Sequence, residues 1–315
     1  MRKPRILVIG SSNTDMIIKL ERIPQPGETI LGGEFVTAAG GKGANQAVAA
    51  ARAGGEVTFV ARVGQDMFGE RAVAGFVQDG IHVEYITRDL EASSGVAMIF
   101  VAKGGQNCIA VASGANAKLS PGEVMKAELA IAGANSVLMQ LETPLEAVEA
   151  AAKSAARGNV PIILNPAPAR KLSDELLKRV SILTPNETEA ELLTGIKVTD
   201  GKSAAWAAEE LLSRGVQTVI ITLGARGAFV AEASIQMLVP GFQVKPVDTT
   251  GAGDVFNGAL AVALGEGRKL LEAVRFANAA AAISVTRLGA QPSAPTRKEI
   301  EMLHDGSNEP VQTFQ

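Results

Sequence analysis

Short apolar runs recur along the chain, separated by longer alanine-rich stretches whose apolar positions fall at helical spacing. RILVIG, VTFVARV, SVLMQLE, PIILNP, SILTPN and TVIITLG predict strands apolar enough to be covered on both faces. GANQAVAAARAGG, ERAVAGFVQDG, LEAVEAAAKSAARG, SAAWAAEELLSRG and LLEAVRFANAAAAISV predict the helices between them, several closed by a glycine. Strand and helix in alternation imply an α/β fold: a doubly wound, mostly parallel sheet between two helical layers.

Residues 14–38 and 93–112 break this rhythm and alternate in the manner of antiparallel strands, the second around a Gly-Gly turn. They suit a small separate sheet forming a flap over a cleft, or a hairpin that extends the main sheet. The expectation is one domain over 1–315 with this two-part lid, ending in a loose polar tail at 305–315.

The 315 residues are 47% apolar and 20% charged, which suits a soluble globular protein. A formal charge of −3 and the lack of a basic, aromatic-interleaved stripe argue against nucleic acid as a partner. The basic start MRKPR precedes an apolar run too short for a signal peptide, and nothing reaches membrane-spanning length, so a cytoplasmic protein without a membrane partner is expected. Cys108 has no internal disulfide partner and reads as a buried small hydrophobe inside NCIAVA; His82 and His304 are too isolated to suggest zinc.

The segment 248–258, DTTGAGDVFNG, leads from an extended stretch into a buried helix. Glycines at a helix start let an anion approach unpaired backbone N–H groups, and Asp254 follows where a carboxylate can accept a hydroxyl proton. A helix cap behind a tight turn is the alternative. Asn13 and Asp15 in SSNTD alternate at the end of the first strand, where open α/β sheets place ligands. AGGKGANQA at 39–47 offers small residues, Lys42 and Asn45 to a polyol, or is a glycine-rich turn with a cap. Asn186 and Glu189 in TPNETEAE share a helical face and suit a hydrated Mg²⁺, or form an acidic first turn. TLGARGA at 222–228 suits nucleotide phosphates, or is a turn into the hairpin FVAEASIQMLV. Gly201-Lys202-Ser203 is not a P-loop, since Ile196 stands where the first glycine is needed. No G-x-G-x-x-G follows the first strand, against a dinucleotide-dependent oxidoreductase.

AGGKGANQAVAAARAG and DTTGAGDVFNGAL together resemble the two signatures of the ribokinase-like carbohydrate kinase family, which includes fructokinases and adenosine kinase. The likeness runs from Arg5 to about Leu303. Further runs, GSSNTD, VLMQLETPLE, LNPAPAR, TPNETEAELLTG and VTRLGAQPS, narrow the expected acceptor to D-ribose.

The resemblance implies ATP-dependent phosphorylation of ribose at O5. Asp254 would be the base, with Gly251, Ala252 and Gly253 as the anion hole. Asn13, Thr14, Asp15, Gly41, Lys42, Gly43, Ala44, Asn45 and Glu142 would hold the sugar. Asn186, Thr222, Leu223, Gly224, Ala225, Arg226, Gly227, Gly253, Asp254 and Asn278 would contact ATP. Asn186 and Glu189 would position Mg²⁺ through water. Asp248, Thr250, Ser284, Arg287, Gly289 and Ser293 would surround an activating K⁺. The flap would be the family's lid and the contact of a homodimer. Asn278 stands where some relatives carry histidine; either side chain donates a hydrogen bond. Deoxyribose, fructose and adenosine are the competing acceptors. Lys42 as the sole cation of the two N-terminal sugar segments disfavours a phosphorylated sugar. A non-catalytic sugar sensor would have no need of Asp254.

Overall fold

The computed structural model describes residues 3–306 and the short strand 312–313. The strands are β1 (Arg5–Ile9), β2 (Asn13–Leu20), β3 (Glu34–Gly40), β4 (Glu56–Gly64), β5 (Ile86–Asp89), β6 (Gly95–Ala102) and β7 (Asn107–Ala112). They continue with β8 (Ser136–Met139), β9 (Ile162–Leu164), β10 (Ile182–Leu183), β11 (Thr218–Thr222), β12 (Ala228–Glu232), β13 (Ile235–Val239) and β14 (Gln312–Thr313). The helices are α1 (Lys42–Arg52), α2 (Met67–Gln78), α3 (Pro121–Lys126), α4 (Glu128–Gly133), α5 (Leu145–Arg157) and α6 (Asp174–Leu177). After them come α7 (Glu187–Thr194), α8 (Gly201–Ser213), α9 (Ala252–Gly265), α10 (Leu270–Ser284) and α11 (Arg297–Gly306).

Among the described residues the main sheet runs β14-β13-β12-β11-β10-β9-β8-β1-β4-β5. It is parallel from β11 to β5 and antiparallel through β12, β13 and β14. Alternation along its central strands divides the core into two layers. Leu7, Ile9, Val137, Met139 and Ile221 face α5 and α8; Ile6, Val8, Leu138 and Ile220 face α1, α9 and α10. The expected three-layer α/β/α architecture is present.

Chain order reverses at β1, which has β4 on one side and β8 on the other. Ligands of open α/β sheets sit at the carboxyl ends of the strands beside such a reversal. Gly258 fixes what lies there. A Cβ on it would stand 2.7 Å from Ala49 Cβ and from the Gln46 carbonyl, so a hydrogen at this position lets α9 lie directly on α1. That contact brings the start of α9 against the start of α1.

The second sheet, β3-β2-β6-β7, is separate from the first. Its outer pairs are antiparallel, as the alternation suggests, but β2 and β6 pair in parallel at its centre. Both excursions leave the main sheet on an outgoing strand and return on the next, so the two outgoing strands run the same way. β7 forms an edge with all six residues exposed, which corrects the expectation for Cys108: its thiol is exposed. Most of the expected loose tail at 305–315 lies outside the described residues; within it, Gln312–Thr313 pairs with Met237–Leu238.

Candidate active site

The carboxyl ends of β1, β8, β9, β10 and β11 converge on the first turn of α9. Gly251 caps that helix in the left-handed region, φ 74°, and a Cβ there would stand 2.8 Å from Ala290 Cβ. Gly253 is different: a Cβ on it meets no atom within 4 Å, because it faces an open cavity. Only the second glycine therefore keeps space clear for a ligand, whereas the first satisfies the backbone.

Asp254 is buried, at 5% exposure, with each oxygen holding one amide donor: Asn45 Nδ2 at Oδ2 and Gln46 Nε2 at Oδ1, both at 2.9 Å. Burial raises its proton affinity; the Lys42 ammonium and the two amides oppose that, and Glu142 adds to it, with a net upward shift. Burial works to lower the Lys42 ammonium, but Asp254, Glu142 and Glu189 around it outweigh burial and hold it above its ordinary value. A cation and a desolvated carboxylate thus stabilise each other's charge.

Glu142 accepts from the Ser11 hydroxyl at 2.5 Å and from the Lys42 backbone N–H at 2.9 Å, tying the end of β8 to the starts of α1 and β2. A Cβ on Gly41 would stand 2.6 Å from the Asn13 nitrogen, and one on Gly43 would stand 2.5 Å from that of Ser11. The two glycines let these backbones touch. Asn13 accepts from Asn116 Nδ2 at 2.7 Å. Asp15 is pushed up to about 6 by its burial and by Glu142 and Asp254. Thr14 takes the opposite face of β2 by alternation, and Ala44 packs into the core beneath α1. Asn45 Oδ1 is buried without a partner, an acceptor suited to a ligand hydroxyl.

Beside this cluster lies a cavity of about 380 Å³. Asn186, Thr222, Gly224, Ala225, Gly227, Ala252, Gly253 and Asn278 line it, as does a wall of Phe242, Val244 and Pro246 that the sequence reading leaves unassigned. Asn278 donates to the Val239 and Pro240 carbonyls, which anchors that wall. The Leu223 side chain packs into the core, which leaves its backbone for a ligand, and the Arg226 guanidinium binds the Thr199 carbonyl and Glu187. Asn186 and Glu189 form a reciprocal capping box, at 2.8 and 2.9 Å, that uses one oxygen of Glu189. Gly201 to Ser203 simply open α8, capped by Asp200.

Asp248 accepts from Thr250 N–H and Oγ1 and from Gly289 N–H at 2.8 Å. Burial pushes it up, but these three donors outweigh burial and leave it below its ordinary value. Two loops, 247–250 and 285–293, are thereby brought together, with Val247 and Asp248 also bonded to the Val285 carbonyl. Ser284 and Ser293 are buried within reach of this junction, whereas the Arg287 guanidinium pairs with Glu299.

A glycine-rich helix start facing a cavity, a buried carboxylate behind it and a cluster of polar side chains on one side suit a phosphotransferase. Residues 3–297 match the pfkB family carbohydrate kinases, and the chain belongs to that family: it is an ATP-dependent sugar kinase. It is 50% identical over 299 residues to the ribokinase of Haemophilus influenzae, covering 95% of this chain and 97% of that one. It is 37% identical over 292 residues to the deoxyribokinase of Salmonella typhi, covering 92% and 95%. The structure of Arabidopsis thaliana ribokinase complexed with ribose and ATP superposes with a TM-score of 0.87 at 35% identity, covering 98% of this chain and all of that one.

Proposed function

We propose that the chain transfers the γ-phosphoryl group of ATP to O5 of D-ribose. The observation that carries this reading is the position of Asp254, buried between the cavity that Gly253 lines and the cluster of Asn13, Asp15, Lys42, Asn45 and Glu142. ATP occupies the cavity, with the Phe242 wall against its base and its phosphates toward the start of α9. Ribose lies over the polar cluster, its hydroxyls accepted by Asp15, Glu142 and the unpartnered Asn45 Oδ1. Asp254 takes the proton of the 5-hydroxyl as that oxygen bonds to phosphorus and the bond to ADP breaks. Backbone N–H groups at Gly251 to Gly253 stabilise the charge on the phosphoryl oxygens.

A divalent metal accompanies ATP in this class, and Mg²⁺ fits the oxygens at Asn186 and Glu189, since it keeps most of its own waters. It would neutralise phosphate charge. K⁺ would draw its oxygens from the junction of Asp248, Thr250, Ser284, Gly289 and Ser293, mostly backbone carbonyls, and would brace the loop before the anion hole. Arg287 would contribute its carbonyl, its guanidinium being engaged elsewhere.

Homodimerisation through the lid is supported by its two apolar faces. Val36, Ile17, Ile99 and Ile109 lie in register on one, Phe35, Ile18, Phe100 and Cys108 on the other. One face covers the sugar, and a second copy covers the other. The exposed Cys108 thiol suits a reducing cytoplasm. Among the described residues no helix is long and apolar enough to cross a membrane.

The deciding experiment measures ADP release with ATP and Mg²⁺ across ribose, 2-deoxyribose, fructose and adenosine, in K⁺ and in Na⁺. Ribose should give the highest kcat/KM, and K⁺ should raise it. No ribose-dependent release would overturn the reading; preference for 2-deoxyribose would move the specificity to that sugar.

A further inference from the structure

Beneath Asp254 a chain of amides runs away from solvent. Gln46 Nε2 donates to Asp254 Oδ1 at 2.9 Å and to Asn165 Oδ1 at 3.1 Å, and Gln46 Oε1 accepts from Gln140 Nε2 at 2.5 Å. Asn165 Nδ2 donates to the Thr184 carbonyl at 3.0 Å, and the Thr184 hydroxyl donates to Asn257 Oδ1 at 2.7 Å. Asn257 Nδ2 then donates to the Gly253 carbonyl at 2.8 Å. The chain begins on Asp254 and ends on its neighbour in the same helical turn. Gln46 and Gln140 are fully buried and Asn165, Thr184 and Asn257 nearly so.

Polarity leaves this network one arrangement. A carbonyl oxygen only accepts, so Asn165 must turn its nitrogen to Thr184 and its oxygen to Gln46. Gln46 must then present its nitrogen toward both Asn165 and Asp254, and Asp254 must accept. Reversing any amide leaves two acceptors face to face in a buried site. Among the described residues, Gln46 is thus the one bonded both to the carboxylate and to the frame that reaches Gly253.

We propose that Gln46 is a positioning residue for phosphoryl transfer: it holds Asp254 as a hydrogen-bond acceptor and locks it, through Asn165, Thr184 and Asn257, to the Gly253 turn. Base and anion hole then move as one body. The inference rests on Asp254 as the base. The charged groups facing that carboxylate are Lys42, Glu142, Asp15 and Glu189, and the amide of Gln46 is a neutral counterweight to burial.

The test compares Gln46→Met, of equal length without a donor, and Gln46→Glu with the parent and Asp254→Asn, all corrected for folded fraction. Gln46→Met should lower kcat roughly 10- to 100-fold while KM for ribose and ATP stays within about threefold. Its acid limb should move to higher pH, because the ionised carboxylate loses a donor. Gln46→Glu can donate only when protonated, so its kcat should fall as pH rises, an alkaline loss the parent lacks; this profile decides the matter if Gln46→Met does not fold. Parent-like kcat and pH limbs in both Gln46 variants, with Asp254→Asn inactive, would overturn the role of Gln46 alone. Full turnover in Asp254→Asn would overturn the base and, with it, this proposal.

Discussion

Asn45 and Asp254 stand 209 positions apart in the chain and meet through a 2.9 Å hydrogen bond between the first turns of two helices packed face to face. The bond exists because Gly258 lets α9 rest on α1. It leaves the carboxylate acceptor-only, at the boundary between the cavity and the polar cluster.

Replacing Asp254 with Asn keeps the shape and removes the proton acceptor. Turnover should fall by about two to four orders of magnitude, the cost of a lost general base, with ribose and ATP affinities nearly unchanged. Steady-state kinetics together with calorimetric titration of both ligands check this. Unchanged turnover would reduce Asp254 to a cap on α9.

In the proposed reaction Asp15 would serve binding at the expense of stability. Its carboxyl is raised from 3.8 to about 6, chiefly by burial. The folded chain therefore holds this proton more tightly than the unfolded chain does, so the contribution favours the fold at low pH and is lost as pH rises from about 4 to 6. Asp15→Asn should raise Tm at pH 7, with the gain vanishing toward pH 4, while KM for ribose rises. In the parent, ribose KM should climb below pH 6 as Asp15 takes up its proton. Thermal melts and KM across that window test both; a variant with parental Tm at pH 7 would refute the stability cost.

The strands were the most legible part of the sequence, because burial on both faces leaves continuous apolar runs such as RILVIG and TVIIT. Asn13, Asp15 and Asn186 were legible for a related reason: each follows shortly after a strand of the main sheet, where the apolar run gives way to polar residues. Gln46, Gln140 and Asn165 were not, since each is a lone amide whose partner lies far away and whose role depends on donor polarity set only by the assembled fold. Helices α3 and α11 are not among those the apolar spacing predicts, although Ser120 with Glu123, and Thr296 with Glu299, carry capping spacing that marks their starts. The parallel pairing of β2 with β6 has no local signal at all.

Phe35 lies on the lid face opposite the row that contains Asp15, and it is 60% exposed. An isolated chain would present that apolar face to water, so Phe35→Asp should shift the protein from dimer to monomer in sedimentation. Ribose KM should rise with it, because a lid without its partner closes less firmly. A parent that already sediments as a monomer would remove the dimer from the proposal.

The two glycines of the proposed anion hole should separate cleanly when each is replaced with Ala. At Gly251 the new methyl would meet Ala290 and the backbone would be held at φ 74°, so about 1–2 kcal/mol of stability should be lost. At Gly253 the methyl meets no protein atom, and a helical glycine replaced with Ala loses less chain entropy on folding, so Tm should hold or rise. Yet that methyl stands in the cavity where phosphoryl oxygens approach the backbone N–H groups, and kcat should fall at least about tenfold. Melting curves and turnover measured on the same two preparations give the answer: a Gly253→Ala enzyme with parental kcat would mean that the phosphoryl group does not pass over this turn.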